Sequence, residues 1–163
     1  MELVGAEPAV ECAAILLEAF RRRGLPVFHV QHLAKRAGAK FFLPGTLGAE
    51  IHSAVQPKVE ERVVTKHFPN SFRETTLLED LRSAGASNLV FAGMMTHMCV
   101  DTTVRAAADL GFACSLAQDG CATRALTFAG ELVDADKVQL AYLAGLNGSF
   151  ASVRPTQELC AAL

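Results

Sequence analysis

The chain has 163 residues and a mass of 17.4 kDa, about one domain's worth and enough to bury a sizeable core. Hydrophobic residues make up 51% and charged residues 20%, which excludes a disordered or fibrous chain. Fifteen Lys and Arg against seventeen Asp and Glu leave a formal charge of −2, so nucleic acid is not expected as a partner.

Residues 7–23 read as a helix. Pro8 suits its first turn, Val10, Ala13, Ala14, Leu17 and Phe20 share a face, and Arg21-Arg22-Arg23 before Gly24 marks its end. The arginine run is expected to be solvated. Residues 25–31 form a short buried strand through Val27, Phe28 and Val30. Residues 33–57 are a long loop punctuated by Gly38, Pro44-Gly45 and Gly48, with a helical turn near Glu50 and Ala54. It has no G-K-[ST] and is no phosphate loop. Its Phe41-Phe42 pair is either a lid or a loop anchor.

Residues 62–66 are the next strand, and 75–84 a helix ending at Gly85. Residues 88–93 are a strand, 97–110 a helix, and 112–117 a strand ending near Asp119. Residues 134–147 form a helix, 150–153 a strand and 156–162 a short helix. Short buried strands alternating with helices predict a single three-layer α/β/α domain around a mostly parallel, Rossmann-like sheet. The first element is a helix with no strand before it, so a first central strand is expected to be missing.

No apolar run reaches the roughly 18 residues of a membrane span. The start carries no basic and apolar leader, so no signal peptide is expected. Cys12, Cys99, Cys114, Cys121 and Cys160 are odd in number and contain no C-x-x-C, which argues against a disulfide framework or a zinc ribbon. Reduced thiols in the cytoplasm are the expectation.

Ligands of open α/β sheets bind at the carboxyl ends of the strands. Gln31, His32, Lys66, Gly93 and Asp119 fall there, and Cys99 lies in the first turn of the following helix. A helix N-terminus favours a thiolate, and a nearby ammonium such as Lys66 favours it further. Backbone N–H groups of the turn from Gly93 to Cys99 can face an oxyanion. A packed, inert Cys99 is the plain alternative. Phe68 and His97 line a pocket by position, Arg105 pairs within the fold, and Cys121 packs beneath the loop.

Three blocks carry a resemblance. The first is a strand followed by Gly93-x-x-Thr96-x-x-Cys99-Val100 and then Thr103-x-Arg105. The second is Lys66, Ser71-Phe72, Thr75 and Leu77. The third is Asp119-Gly120-Cys121-Ala122-Thr123. Their order and spacing resemble the isochorismatase-like cysteine hydrolases, a superfamily that includes nicotinamidases, N-carbamoylsarcosine amidases and isochorismatases.

The resemblance implies that Cys99 attacks a carbonyl carbon to form a thioester while Lys66 favours its thiolate. It implies a cis peptide between Met94 and Met95, with the Met95 and Cys99 N–H groups forming an oxyanion hole. Gln31, His32, Phe68 and His97 are candidate pocket residues. The substrate is then a small molecule with an amide, ureido or related C–N bond, and the chain a homo-oligomer, dimer or tetramer.

The family's triad also holds an Asp at the end of the first central strand. All aspartates here, from Asp80 onward, lie downstream of that point. A mis-assigned start or a truncation explains this, or a chain that lost catalysis and serves as a ligand-binding or interaction subunit. Nicotinamidases bind zinc through an Asp and several His. His29, His32, His52 and His67 form no D-x-H cluster, so neither metal nor cofactor is expected.

Overall fold

The computed structural model describes residues 3–163. In chain order it contains α1 (Ala6–Arg22), β1 (Phe28–His32), β2 (Arg62–Lys66), α2 (Leu77–Ser83), β3 (Asn88–Met94) and α3 (Asp101–Asp109). There follow β4 (Ala113–Ala122), β5 (Leu126–Phe128), β6 (Glu131–Val133), α4 (Ala135–Leu146), β7 (Ser152–Arg154) and α5 (Thr156–Ala162). β1 with β2, β3 with β4, and β4 with β7 all pair in parallel.

Neighbouring residues of a strand face opposite sides, and β4 shows what this does. Leu116 packs against Val104 of α3 and Leu146 of α4, whereas Ala117 packs against Leu16 of α1 and Leu159 of α5. Both pairs of helices thus close on one strand, and the α/β layering follows. No helix among the described residues is long and apolar enough to cross a membrane, and all five cysteines are free thiols.

The parallel strands form two sheets, β1-β2 and β3-β4-β7. Among the described residues, β1 and β3 therefore each keep one edge without a strand partner. Phe28 of β1 and Leu89 of β3 pack on one buried cluster, Val64, Leu77 and Leu81, which sets the two sheets side by side against α2. The open edges leave Val30 38% exposed and Ala92 exposed, although strands of a continuous parallel sheet are buried on both faces.

Several expectations are corrected. α1 buries Ala9, Leu16 and Ala19, a face turned about one residue from the expected one. Its end is not solvated throughout. Arg21 forks onto Glu61 at 2.7 and 2.8 Å, and Glu61 Oε2 also meets His29 Nε2 at 2.8 Å. The single helical turn expected in the long loop is two 3-10 turns, Leu47–Ala49 and Ser53–Val55.

β4 continues past the expected end. Its pairing on β3 jumps from Phe91↔Leu116 to Gly93↔Cys121, so the intervening residues bulge and the strand then resumes. Asp119 lies inside this bulge rather than ending a strand. Its Oδ1 accepts from Thr156 N at 2.8 Å and Thr156 Oγ1 at 2.6 Å, which ties down the start of α5. The β5–β6 hairpin was not expected at all. Its two-residue loop, Ala129-Gly130, has positive φ at both positions, as a type I′ turn requires.

Two outcomes follow for stability. The Arg21 guanidinium holds the Glu61 carboxyl well below the usual carboxylate range. A depressed carboxyl contributes stability that is present above its unfolded value near pH 4.5 and lost as pH falls further. Chemical denaturation should show wild type losing stability below about pH 4.5, and Glu61→Gln should lower stability by about 2–3 kcal/mol at pH 7 while flattening that acid dependence. At Gly120 an added Cβ would sit 3.0 Å from Ala117 Cβ and 3.2 Å from Ala92 Cβ. Gly120→Ala should cost about 1–3 kcal/mol by the same measurement.

Candidate active site

β2 ends at Lys66, which is only 4% exposed. Its Nζ donates to the carbonyls of Phe68 at 3.0 Å and Pro69 at 2.8 Å. The chain therefore folds back over the ammonium immediately after the strand, and a short strap, residues 67–71, is shaped by it. No carboxylate among the described residues lies within ion-pair distance of Lys66.

The strap is fixed to α3. Thr103 Oγ1 donates to the Pro69 carbonyl at 3.3 Å, accepts from Ser71 N at 3.1 Å and meets Ser71 Oγ at 2.9 Å. Ser71 and Thr103 are both buried. Cys99 lies four residues before Thr103, in the turn that leads into α3. One hydrogen-bonded framework thus ties Lys66 to the helix whose entrance carries Cys99.

That entrance is not regular α-helix. Thr96–Val100 forms a π turn, with the Met95 carbonyl accepting from Met98 N at 3.0 Å and Val100 N at 3.3 Å, and α-helix begins at Asp101. π turns are frequent at functional sites because they redirect side chains. Before it, Gly93 has φ 145°, a conformation that L side chains rarely adopt, and the Met94–Met95 peptide is cis. Cys99 is half-buried.

Two consecutive side chains pin the turn to the end of β4. Thr96 Oγ1 donates to the Ala122 carbonyl at 3.2 Å, and His97 Nδ1 meets Thr123 Oγ1. His97 also meets the Tyr142 ring edge-on, with centroids 6.0 Å apart. It therefore faces β4 and α4 rather than Lys66. Burial, with Arg124 nearby, lowers its pKa below the ordinary imidazole value.

The remaining candidates divide. His32 is the register partner of Lys66 and stacks on Phe42 at 4.7 Å between ring centroids. Phe42 holds φ 58°, an uncommon conformation for an aromatic residue, which places the long loop against the site. Burial and the Lys66 charge lower the His32 pKa, and its buried Nδ1 has no partner among the described residues. Phe68 gives its carbonyl to Lys66 and its ring face to Arg73, 3.7 Å away. Gln31 points to the opposite face and donates to the Ala49 carbonyl at 2.8 Å.

Cys121, the register partner of Gly93, is buried, and burial pushes its thiol up to about 12. It is inert packing beneath the turn. Arg105 pairs with Asp101 at 3.0 Å and covers the Phe150 ring. No group of three or more His, Cys, Asp or Glu side chains among the described residues is arranged to hold a metal ion. A cleft of about 370 Å³ that includes Arg21 and Glu61 lies at the amino ends of β1 and β2, opposite Cys99.

The chain is a layered α/β protein with a thiol, Cys99, in a strand-to-helix turn and a buried lysine, Lys66, at the end of a parallel strand. The Isochorismatase domain model matches residues 2–153. The chain is 46% identical over 157 residues to the Bacillus subtilis isochorismatase family protein YddQ, covering 96% of this chain and 87% of that protein. It superposes on an isochorismatase from Pseudomonas putida with a TM-score of 0.91 at 36% identity, covering 96% of this chain and 80% of the other. Nicotinamidase 3 of Arabidopsis thaliana is 29% identical over 149 residues, covering 84% and 73% of the two chains. The chain belongs to the isochorismatase family of hydrolases.

Proposed function

We propose that this chain hydrolyses the C–N bond of a small amide, ureido or related compound through a thioester on Cys99. The observation that carries the reading is the framework Lys66–Pro69–Thr103, which brings a buried ammonium to the helix bearing the thiol. The amide-cleaving activity named for Nicotinamidase 3 supports the substrate class.

In this reading the Lys66 ammonium favours the Cys99 thiolate, which attacks the carbonyl carbon. The oxygen takes up the negative charge and is met by the N–H groups of Met95 and Cys99. The C–N bond then breaks, the nitrogen leaves with a proton, and an acyl thioester remains. Water attacks that carbonyl, releasing the acid and restoring the thiol. His32 and Phe68, both beside Lys66, form the wall against which the substrate is held. The chemistry needs no cofactor.

The proton lost by the thiol has to reach the departing nitrogen. No carboxylate among the described residues stands at Lys66 to carry it, and this favours a second reading, in which the same fold binds a small molecule without turning it over.

Release of ammonia or amine from a panel of small amides and ureido compounds separates the two. The hydrolase reading predicts turnover that falls at least about 10³-fold in kcat/KM in Cys99→Ala and in Lys66→Met, with melting temperatures recorded alongside. Turnover that survives both substitutions overturns the mechanism. Saturable binding without turnover, unchanged in Cys99→Ala, establishes the second reading.

A further inference from the structure

The charges of this chain are unevenly spread. Two segments meet at Lys66: the first part of the long loop, residues 33–49, and the strap with its flanking residues, 66–73. Together they hold Lys35, Arg36, Lys40, Lys66 and Arg73, five of the fifteen Lys and Arg. None of the seventeen Asp and Glu lies in either segment. A chain with a formal charge of −2 thus gathers a third of its bases, and no acid, on the two stretches around one buried ammonium.

The backbone brings these bases to one place. Leu33 N donates to the Lys66 carbonyl at 3.0 Å, and the Leu33 carbonyl meets His67 Nδ1 at 2.8 Å. Ala34 N donates to the Phe42 carbonyl at 2.8 Å, which closes residues 35–41 into a tip that starts beside Lys66. The stack of Phe42 on His32 holds the tip's other end. Lys35, Arg36 and Lys40 are exposed on it and form no ion pair among the described residues. On the strap segment, the Arg73 guanidinium lies over the ring of Phe68, the residue whose carbonyl holds Lys66. The carboxylate beside it, Glu74, is 3.9 Å away and both side chains are more than half exposed, so that pair is weak and leaves the guanidinium free to take another partner.

We propose that Lys35, Arg36, Lys40 and Arg73 select a substrate that bears a carboxylate as well as the scissile amide or ureido group. The proposal rests on the reading of Lys66 and Cys99 as the reacting end of the site. Arg73 is suited to grip the carboxylate. Its stack on Phe68 already restricts the side chain, and a planar guanidinium matches a carboxylate through two parallel N–H···O bonds. Lys35, Arg36 and Lys40 act at longer range, because charges of one sign around a cleft raise the local concentration of the opposite ion. A neutral amide gains nothing from this arrangement, and a cationic one is repelled. An ordinary solvated surface mixes its signs, as this chain does where Arg62 meets Asp80, Arg105 meets Asp101 and Lys137 meets Asp134.

The test compares two alkylating reagents of nearly the same size, iodoacetate and iodoacetamide, on the full chain. With either one the Cys99 thiolate forms a bond to the CH2 carbon, and iodide leaves with the electron pair. The reagents differ in presenting a carboxylate or a neutral amide. The rate is followed on the peptide that contains Cys99, because the other four cysteines are free thiols as well. No turnover is required, so the result stands apart from whether the chain hydrolyses anything.

Relative to glutathione, wild type should favour iodoacetate at least about 10-fold at an ionic strength of about 10 mM, and most of that preference should vanish near about 0.5 M. Arg73→Gln and the triple variant K35Q/R36Q/K40Q should each lower the preference at least about 3-fold. Arg82→Gln, equally exposed but at the end of α2 that leads into β3, should keep it. A preference no greater than that of glutathione overturns the proposal, and so does one that neither variant lowers. A Cys99 that resists both reagents breaks the hydrolase reading instead, and calorimetry then decides on the cations. Succinamate should bind at least about 10-fold more tightly than butyramide, which carries a methyl group in place of the carboxylate, and should lose that margin in Arg73→Gln. Equal or absent binding of the two overturns the proposal.

Discussion

A buried ammonium organises this site. Removing a cation from water costs several kcal/mol unless hydrogen bonds replace the lost hydration. Lys66 is answered by the carbonyls of Phe68 and Pro69, which lie within three residues of it. The strand β2 must therefore end there, and the chain must turn tightly over the ammonium. Ser71 is then delivered to Thr103, and α3 is drawn against the strap. The position of the helix entrance, and of Cys99 on it, depends on this one charge being satisfied by local backbone.

The other side of the entrance is fixed from β4. The bulge before Cys121 lets the strand resume and reach Ala122 and Thr123, which hold Thr96 and His97. Gly120 is demanded by the close approach of Ala92 and Ala117 inside that bulge. The strap after Lys66 is thus bonded to α3 at Thr103, while the end of β4 holds the turn that precedes α3. Cys121, the register partner of Gly93, is buried beneath the turn, and burial pushes its thiol up.

Much of this was legible in the sequence, for identifiable reasons. Lys66 and Cys99 sit where a parallel sheet places its ligands, and the blocks around them are distinctive enough to mark the family. The strand 62–66 and the helix 156–162 were read with their observed limits because their boundaries carry clear signals. By its position in the sequence His97 is a candidate pocket residue. In a π turn, however, side chains do not follow α spacing, and it faces Thr123 instead. The bulge in β4 was hidden because Asp119-Gly120 looks like the end of a strand. The hairpin was hidden because three-residue strands are too short to show an alternating pattern. Arg21 reads as one of three helix-end arginines, and only the fold brings Glu61 from residue 61 to meet it.

The central claim is that Cys99 carries the acyl group. It is tested most directly by acid-quenching the chain during turnover of an amide substrate and weighing the peptide that contains Cys99. The account predicts a mass increase equal to the acyl part of the substrate, on that peptide alone, which is released by hydroxylamine and absent in Cys99→Ala. Turnover with no adduct on Cys99 at any quench time, in an enzyme whose Cys99→Ala variant remains active, would contradict it.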